Sequence, residues 1–179
     1  PADRGEKPPA GDIPLQQIRS HLADQASFVW VALKDPDDAE LQAVEAEFGL
    51  HELAVEDARH GHQRPKLDEY GSSLFVVMHV VEHGRDVLAQ GEIAIFVGPG
   101  YIVSVRRNTE MGFADVRRRC ELEPELLRRG PGYVLYALMD AVVDRYFPTL
   151  EAIAEEAEQI EERIFSGENT RAQIEALYG

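Results

Sequence analysis

Cysteine is nearly missing from this chain: Cys120 stands alone among 179 residues, so no disulfide can close within it, and a reducing compartment suits that composition. Long apolar runs are missing too. The longest stretch without a charged residue, "IAIFVGPGYIVSV" at residues 93 to 105, is thirteen residues long and broken by Gly-Pro-Gly. A membrane helix needs about 20 apolar residues, so no such helix is expected here. Positive charge is scarce, with 18 Lys and Arg against 33 acidic residues and a formal net charge of -15. Such a field repels nucleic acid and anionic headgroups and attracts cations or basic partners. Also absent are an internal repeat, a Gly-rich phosphate loop, an initiator Met and a signal-peptide layout; residues 1 to 12, "PADRGEKPPAGD", read as a flexible leader.

What is present describes an ordinary folded domain. Apolar residues make up 44% and charged residues 28%, which argues against disorder. Leu15, Ile18 and Leu22 recur at helical spacing behind Asp12, a candidate cap. The run "SFVWVAL", residues 27 to 33, is rich in β-branched and aromatic side chains and predicts a buried strand. A helix follows, with Asp35 before Pro36, further acids in its first turn, Leu41, Val44 and Phe48 as its stripe and Gly49 as its stop. Residues 73 to 82 predict another strand, and residues 92 to 106 a hairpin turning at Gly98, Pro99 and Gly100. From about Phe113 the pattern is helical. It ends in one long helix whose Tyr146, Leu150, Ile153, Ala157, Ile160 and Ile164 step as a heptad seam, with six glutamates from Glu151 to Glu162 on its outer faces. The expected fold is therefore α/β: a layered mixed sheet flanked by helices, with a long acidic C-terminal helix. In that reading residues 13 to 130 form the α/β unit. Residues 131 to 179 add the acidic helix and the start of another, packed on the same domain and cut at its end.

The chemistry concentrates in "LHELAVEDARHGHQRPK", residues 50 to 66. It opens like the zinc-protease pattern His-Glu-x-x-His, but position 55 is Val, so the second ligand is missing. His60 and His62 flank Gly61 without a third soft ligand nearby and read as surface residues beside a helix end. Cys120 has no histidine within 30 residues, and no catalytic constellation emerges, so no enzyme is expected. Glu56 and Asp57 remain. On a helix starting near Leu50, with Leu50, Leu53 and Ala54 as its buried side, they point about 100° apart and address two surroundings. Asp140 interrupts an apolar helical stretch, where a charge has to be paired, hydrogen-bonded or metal-bound. Solvated or capping carboxylates and cation ligands both fit these three residues.

Three blocks, "FVWVALKDPDDAEL", "FGLHELAVEDARHGHQRPKLDEY" and "GPGYVLYALMDAVVDRYFPTLE" followed by "IEERIF", make the chain resemble the CorA family of magnesium transporters over roughly residues 27 to 168. The resemblance implies a cytosolic regulatory domain at the cytoplasmic face of the cell membrane. It would be one protomer of a homopentamer whose stalk, membrane helices and Gly-Met-Asn signature lie outside this sequence. It further implies Mg2+ bound between neighbouring protomers, holding the closed state, with Glu56, Asp57 and Asp140 at matching ligand positions and a further ligand on the stalk. Co2+ or another divalent cation is the alternative; a zinc or cobalt/nickel transporter on the same scaffold is one rival and a soluble acidic interaction module another.

Overall fold

The computed structural model describes Ile18, residues 27–83 and residues 88–165. Strand β1 (Val29–Lys34) leads to helices α1 (Asp38–Phe48) and α2 (Glu52–His60), followed by strands β2 (Lys66–Tyr70), β3 (Ser73–His83), β4 (Leu88–Gly98) and β5 (Tyr101–Arg107). Helices α3 (Ala114–Leu122), α4 (Pro124–Leu127), α5 (Pro131–Asp144) and α6 (Tyr146–Phe165) complete the chain. The five strands form one mixed sheet in the order β1-β5-β4-β3-β2, with β1 parallel to β5 and every other pair antiparallel.

Alternation along the strands sorts their side chains onto two buried faces. Phe75, Val77, Ala94, Phe96, Val103 and Val105 meet Leu41, Val44 and Phe48 of α1 and Ala54, Val55 and Ala58 of α2, with Ile18 in the same core. Val76, Val80, Ile93, Ile95 and Ile102 meet Val116 and Cys120 of α3 and Val134, Ala137, Leu138 and Val142 of α5. Helices thus cover both faces, as the strand pattern predicts. The short helix expected over residues 13 to 22 and the leader before it lie outside the described residues, apart from Ile18, which is helical and buried.

Local signals place the elements with a few corrections. The cap of α1 is Asp37, whose carboxylate accepts from the Glu40 amide at 2.8 Å while the Glu40 carboxylate accepts from the Asp37 amide at 3.0 Å. Asp35 does different work. It takes a left-handed φ of 45° and accepts from the Asn108 amide at 3.0 Å, tying the end of β1 to the end of its parallel neighbour β5. Gly49 closes α1 at φ 61°, a conformation in which only glycine avoids strain from its own Cβ.

Strand β2 has no counterpart in the sequence reading. Its alternation is charged rather than apolar, and as a sheet edge it needs only its pairing with β3 and polar side chains that discourage further pairing. The single long helix expected at the C-terminal end is two helices, α5 and α6, parted at Arg145. Pro148 explains the break, because a proline ring clashes with the carbonyl four residues earlier, here that of Asp144. Helix α6 buries only Thr149 fully, and its heptad residues Leu150 and Ile153 stay 58% and 45% exposed. No helix among the described residues is long and apolar enough to cross a membrane.

Candidate cation-binding carboxylates

Helix α2 presents Glu56 and Asp57. His51 caps its start, with Nδ1 accepting from the Leu53 amide at 3.3 Å and the ring stacked on Tyr70 at 4.0 Å. Gly61 closes its end by donating to the Asp57 carbonyl at 3.0 Å. Arg107 of β5 locks the last turn from below, donating from Nε to the Ala58 carbonyl at 2.7 Å and from Nη2 to the Pro36 carbonyl at 3.2 Å. A cation there also favours the negative end of the helix dipole.

The buried side of α2 is Ala54, Val55 and Ala58, with Leu50 partly buried ahead of it, whereas Leu53 is 53% exposed. Apolar spacing from Leu50 predicts Leu53 on the buried side, and the structure turns it out. With α2 starting at Glu52 and Val55 filling the core, position 53 turns outward. That rotation gives Glu56 and Asp57 their separate surroundings. The Glu56 side chain faces solvent and has no ion-pair partner among the described residues.

Asp57 is half-buried, and its Oδ2 lies 2.7 Å from Lys66 Nζ. The same ammonium lies 2.8 Å from Asp68 Oδ2 and 5.5 Å from the centre of the Phe75 ring. Hydrogen bonds that Lys66 donates to Asp57 and then to Asp68 hold its pKa above the usual lysine range.

Asp140 sits on α5, half-buried, accepting from Arg119 Nη1 of α3 at 2.9 Å. The charge interrupting the apolar helix is therefore paired, and the Asp140 bond holds Arg119 above its ordinary pKa. Helices α2 and α5 pack on opposite faces of the sheet, so one chain brings Glu56 and Asp57 together but keeps Asp140 apart from them. Among the described residues no three His, Cys, Asp or Glu side chains gather in a metal-holding group. His60 and His62 are exposed, and the His60 ring turns back to the Glu56 carbonyl at 2.9 Å. Cys120 is buried in the core beneath α3, and burial pushes its thiol pKa up, the reverse of what a nucleophile needs.

The family model described as "CorA-like Mg2+ transporter protein" matches residues 25–179. The chain belongs to that family. This CorA-like chain is 34% identical over 151 residues to Bacillus subtilis YfjQ, an alignment that covers 84% of the chain and 46% of that protein. It is 27% identical over 145 residues to the cobalt/magnesium transport protein CorA of Thermotoga maritima, covering 79% of the chain and 41% of that protein. The chain thus spans less than half the length of these relatives. In fold it is similar to the soluble domain of CorA from Methanocaldococcus jannaschii, with a TM-score of 0.61 at 18% identity, covering 84% of this chain and 60% of that one.

Three residues of this CorA-like surface escaped the sequence reading. Lys66 holds Asp57, Arg119 holds Asp140, and Arg107 holds the helix that carries Glu56 and Asp57. "RPK" and "RRR" are visible as basic runs, but which carboxylate each cation meets depends on strand pairing and helix packing.

Donor type fits a hard divalent cation: all three candidates offer carboxylate oxygens, and magnesium is commonly held by one or two carboxylates with its remaining waters retained. Within one chain Glu56 lies beside Asp57, and Asp140 stands on the other face of the sheet.

Proposed function

We propose that this chain is the cytosolic regulatory part of a CorA-family magnesium transporter, at the cytoplasmic face of the cell membrane. In this reading Glu56 and Asp57 of one protomer and Asp140 of its neighbour face a divalent cation held between them. The observation that carries it is the placement of α2 and α5 on opposite faces of the sheet. A site that needs both faces needs two copies, and meeting unlike faces is a heterologous contact, the kind that closes into a ring. A pentamer is the ring that the family resemblance implies.

Glu56 would contribute an exposed carboxylate at the rim, and Asp57 and Asp140 would contribute half-buried ones, fixed in direction by α2 and α5. The six glutamates from Glu151 to Glu162 on α6 add like charge that copies brought together must screen or neutralise. Bound magnesium supplies positive charge between these faces. If the closed ring offers the carboxylates at better spacing than the open one, filling the site shifts the population toward closure by the difference in affinity.

The test is made in the full-length transporter that contains this chain. Alanine at Glu56, Asp57 and Asp140 together is expected to remove inhibition of transport by cytosolic magnesium while transport itself persists. Inhibition unchanged in that variant would defeat the assignment. Cobalt is the second reading for the cargo, supported by the name of the Thermotoga maritima relative; transport assays with each ion separate the two.

A further inference from the structure

Asp57, one of the three carboxylates of this proposed site, is already engaged by a cation of the same chain. Lys66 and Asp68 lie two residues apart on β2, so their side chains leave the strand on one side. That side is the one facing α2. The Lys66 ammonium sits between Asp57 and Asp68, at 2.7 and 2.8 Å, with the Phe75 ring beneath it. The Lys66 and Asp57 side chains are 31% and 23% exposed, less open to screening than a surface pair. A divalent cation bonds a carboxylate oxygen at about 2.1 Å. If it bonded Asp57 Oδ2 with Lys66 still in place, two positive centres would lie within about 5 Å, a repulsive arrangement.

Resting on the reading of Asp57 as a cation ligand, we propose that Lys66 is a built-in competitor for Asp57, and that Asp68 is the carboxylate on which the displaced ammonium remains. Filling the site is then an exchange of one cation for another at Asp57. Lys66 sets how much magnesium that exchange requires. Asp68 lowers the requirement, because the ammonium that yields Asp57 keeps a partner instead of being left unpaired. The two residues therefore act in opposite directions on the same equilibrium, although in the structure they bond to each other.

Calorimetric titration of the purified full-length transporter that contains this chain, with magnesium chloride at constant ionic strength, tests this, with Asp57→Asn defining the part of the signal that runs through Asp57. In Lys66→Met, half-saturation of that part is expected at roughly fivefold lower magnesium, and in Asp68→Asn at several-fold higher magnesium, the range that loss of one partly exposed ion pair allows. Asp68→Asn is nearly isosteric and lies on an edge strand, so it carries the test if Lys66→Met does not fold. Half-saturation unchanged in both variants, or shifted in the same direction, makes Lys66 a structural tether only and overturns the proposal while leaving Asp57 as a ligand. If Asp57→Asn titrates like the unsubstituted chain, the reading of Asp57 as a ligand fails, and the competition fails with it.

Discussion

Along β4 and β5, Ile93, Ile95, Ile102, Val103 and Val105 are sealed from solvent, whereas along α6 the regular apolar positions Leu150 and Ile153 keep about half of their surface exposed. Both segments have strong apolar periodicity. The strands are covered on two faces by helices of their own chain, while α6 touches the rest of the described domain chiefly through its first turn, where the Tyr146 hydroxyl donates to the His79 carbonyl at 2.6 Å. An apolar period therefore says that a face exists, and the packing of the other elements decides whether that chain covers it. It follows that the folding stability of this chain resides in the sheet and its helices, and that α6 adds little to it.

The sharpest way to break that contrast is Leu138→Ala, since Leu138 of α5 is fully buried against the sheet. A loss of about 3 kcal/mol of unfolding free energy is expected in denaturant titration. A loss below about 1 kcal/mol would mean that the core on the α5 face is looser than the structure has it.

Alkaline titration probes next the sheet domain and the one turn of α6 that is anchored to it. Burial raises the pKa of Cys120 and Tyr146 above their ordinary 9.0 and 10.0, and hydrogen bonds to Asp57 and Asp68 raise Lys66 above 10.5. A raised folded pKa means that the protonated form is preferred in the folded state. The stability from these groups is thus whole at neutral pH and drains away as pH climbs from about 9 through their raised values. Chemical denaturation at pH 7 and at pH 10.5 should show the sheet domain losing stability over that window. A stability that stays flat would remove these groups from the account.

Asp37→Ala removes the capping box of α1 and is expected to cost about 1 kcal/mol, while Asp37→Asn should recover most of it. Smallest of all should be Ile153→Ala on α6, within about 0.5 kcal/mol of the unsubstituted chain. A cost of about 2 kcal/mol or more there would show that α6 is covered in solution by another copy, and its concentration dependence would confirm it.

Much of the architecture was legible in advance because it is written in short-range chemistry. Val29 to Leu33, Leu74 to Val81 and Ile93 to Val97 announce buried strands as apolar runs rich in β-branched and aromatic residues, and Gly49 and Gly61 announce helix ends. The strand β2 was not legible: "KLDEY" carries no apolar period, and it becomes a strand because β3 offers it an edge. The two-helix form of the C-terminal part was half legible, for Pro148 stands in the sequence, but the heptad spacing running past it masked the break.

For the candidate site, the residue types were readable and their partners were not. That Glu56 and Asp57 face different surroundings, and that Asp140 needs compensation, follow from helical geometry and the cost of burying charge. That Lys66 answers Asp57 and Arg119 answers Asp140 depends on contacts spanning nine and 21 residues, set by a strand edge and a helix pair. Local patterns determine which side chains share a face, because the periods of helix and strand are fixed by the backbone. Only the tertiary structure decides which cation meets which carboxylate and on which side of the sheet each one stands, since those distances arise from how the layers pack.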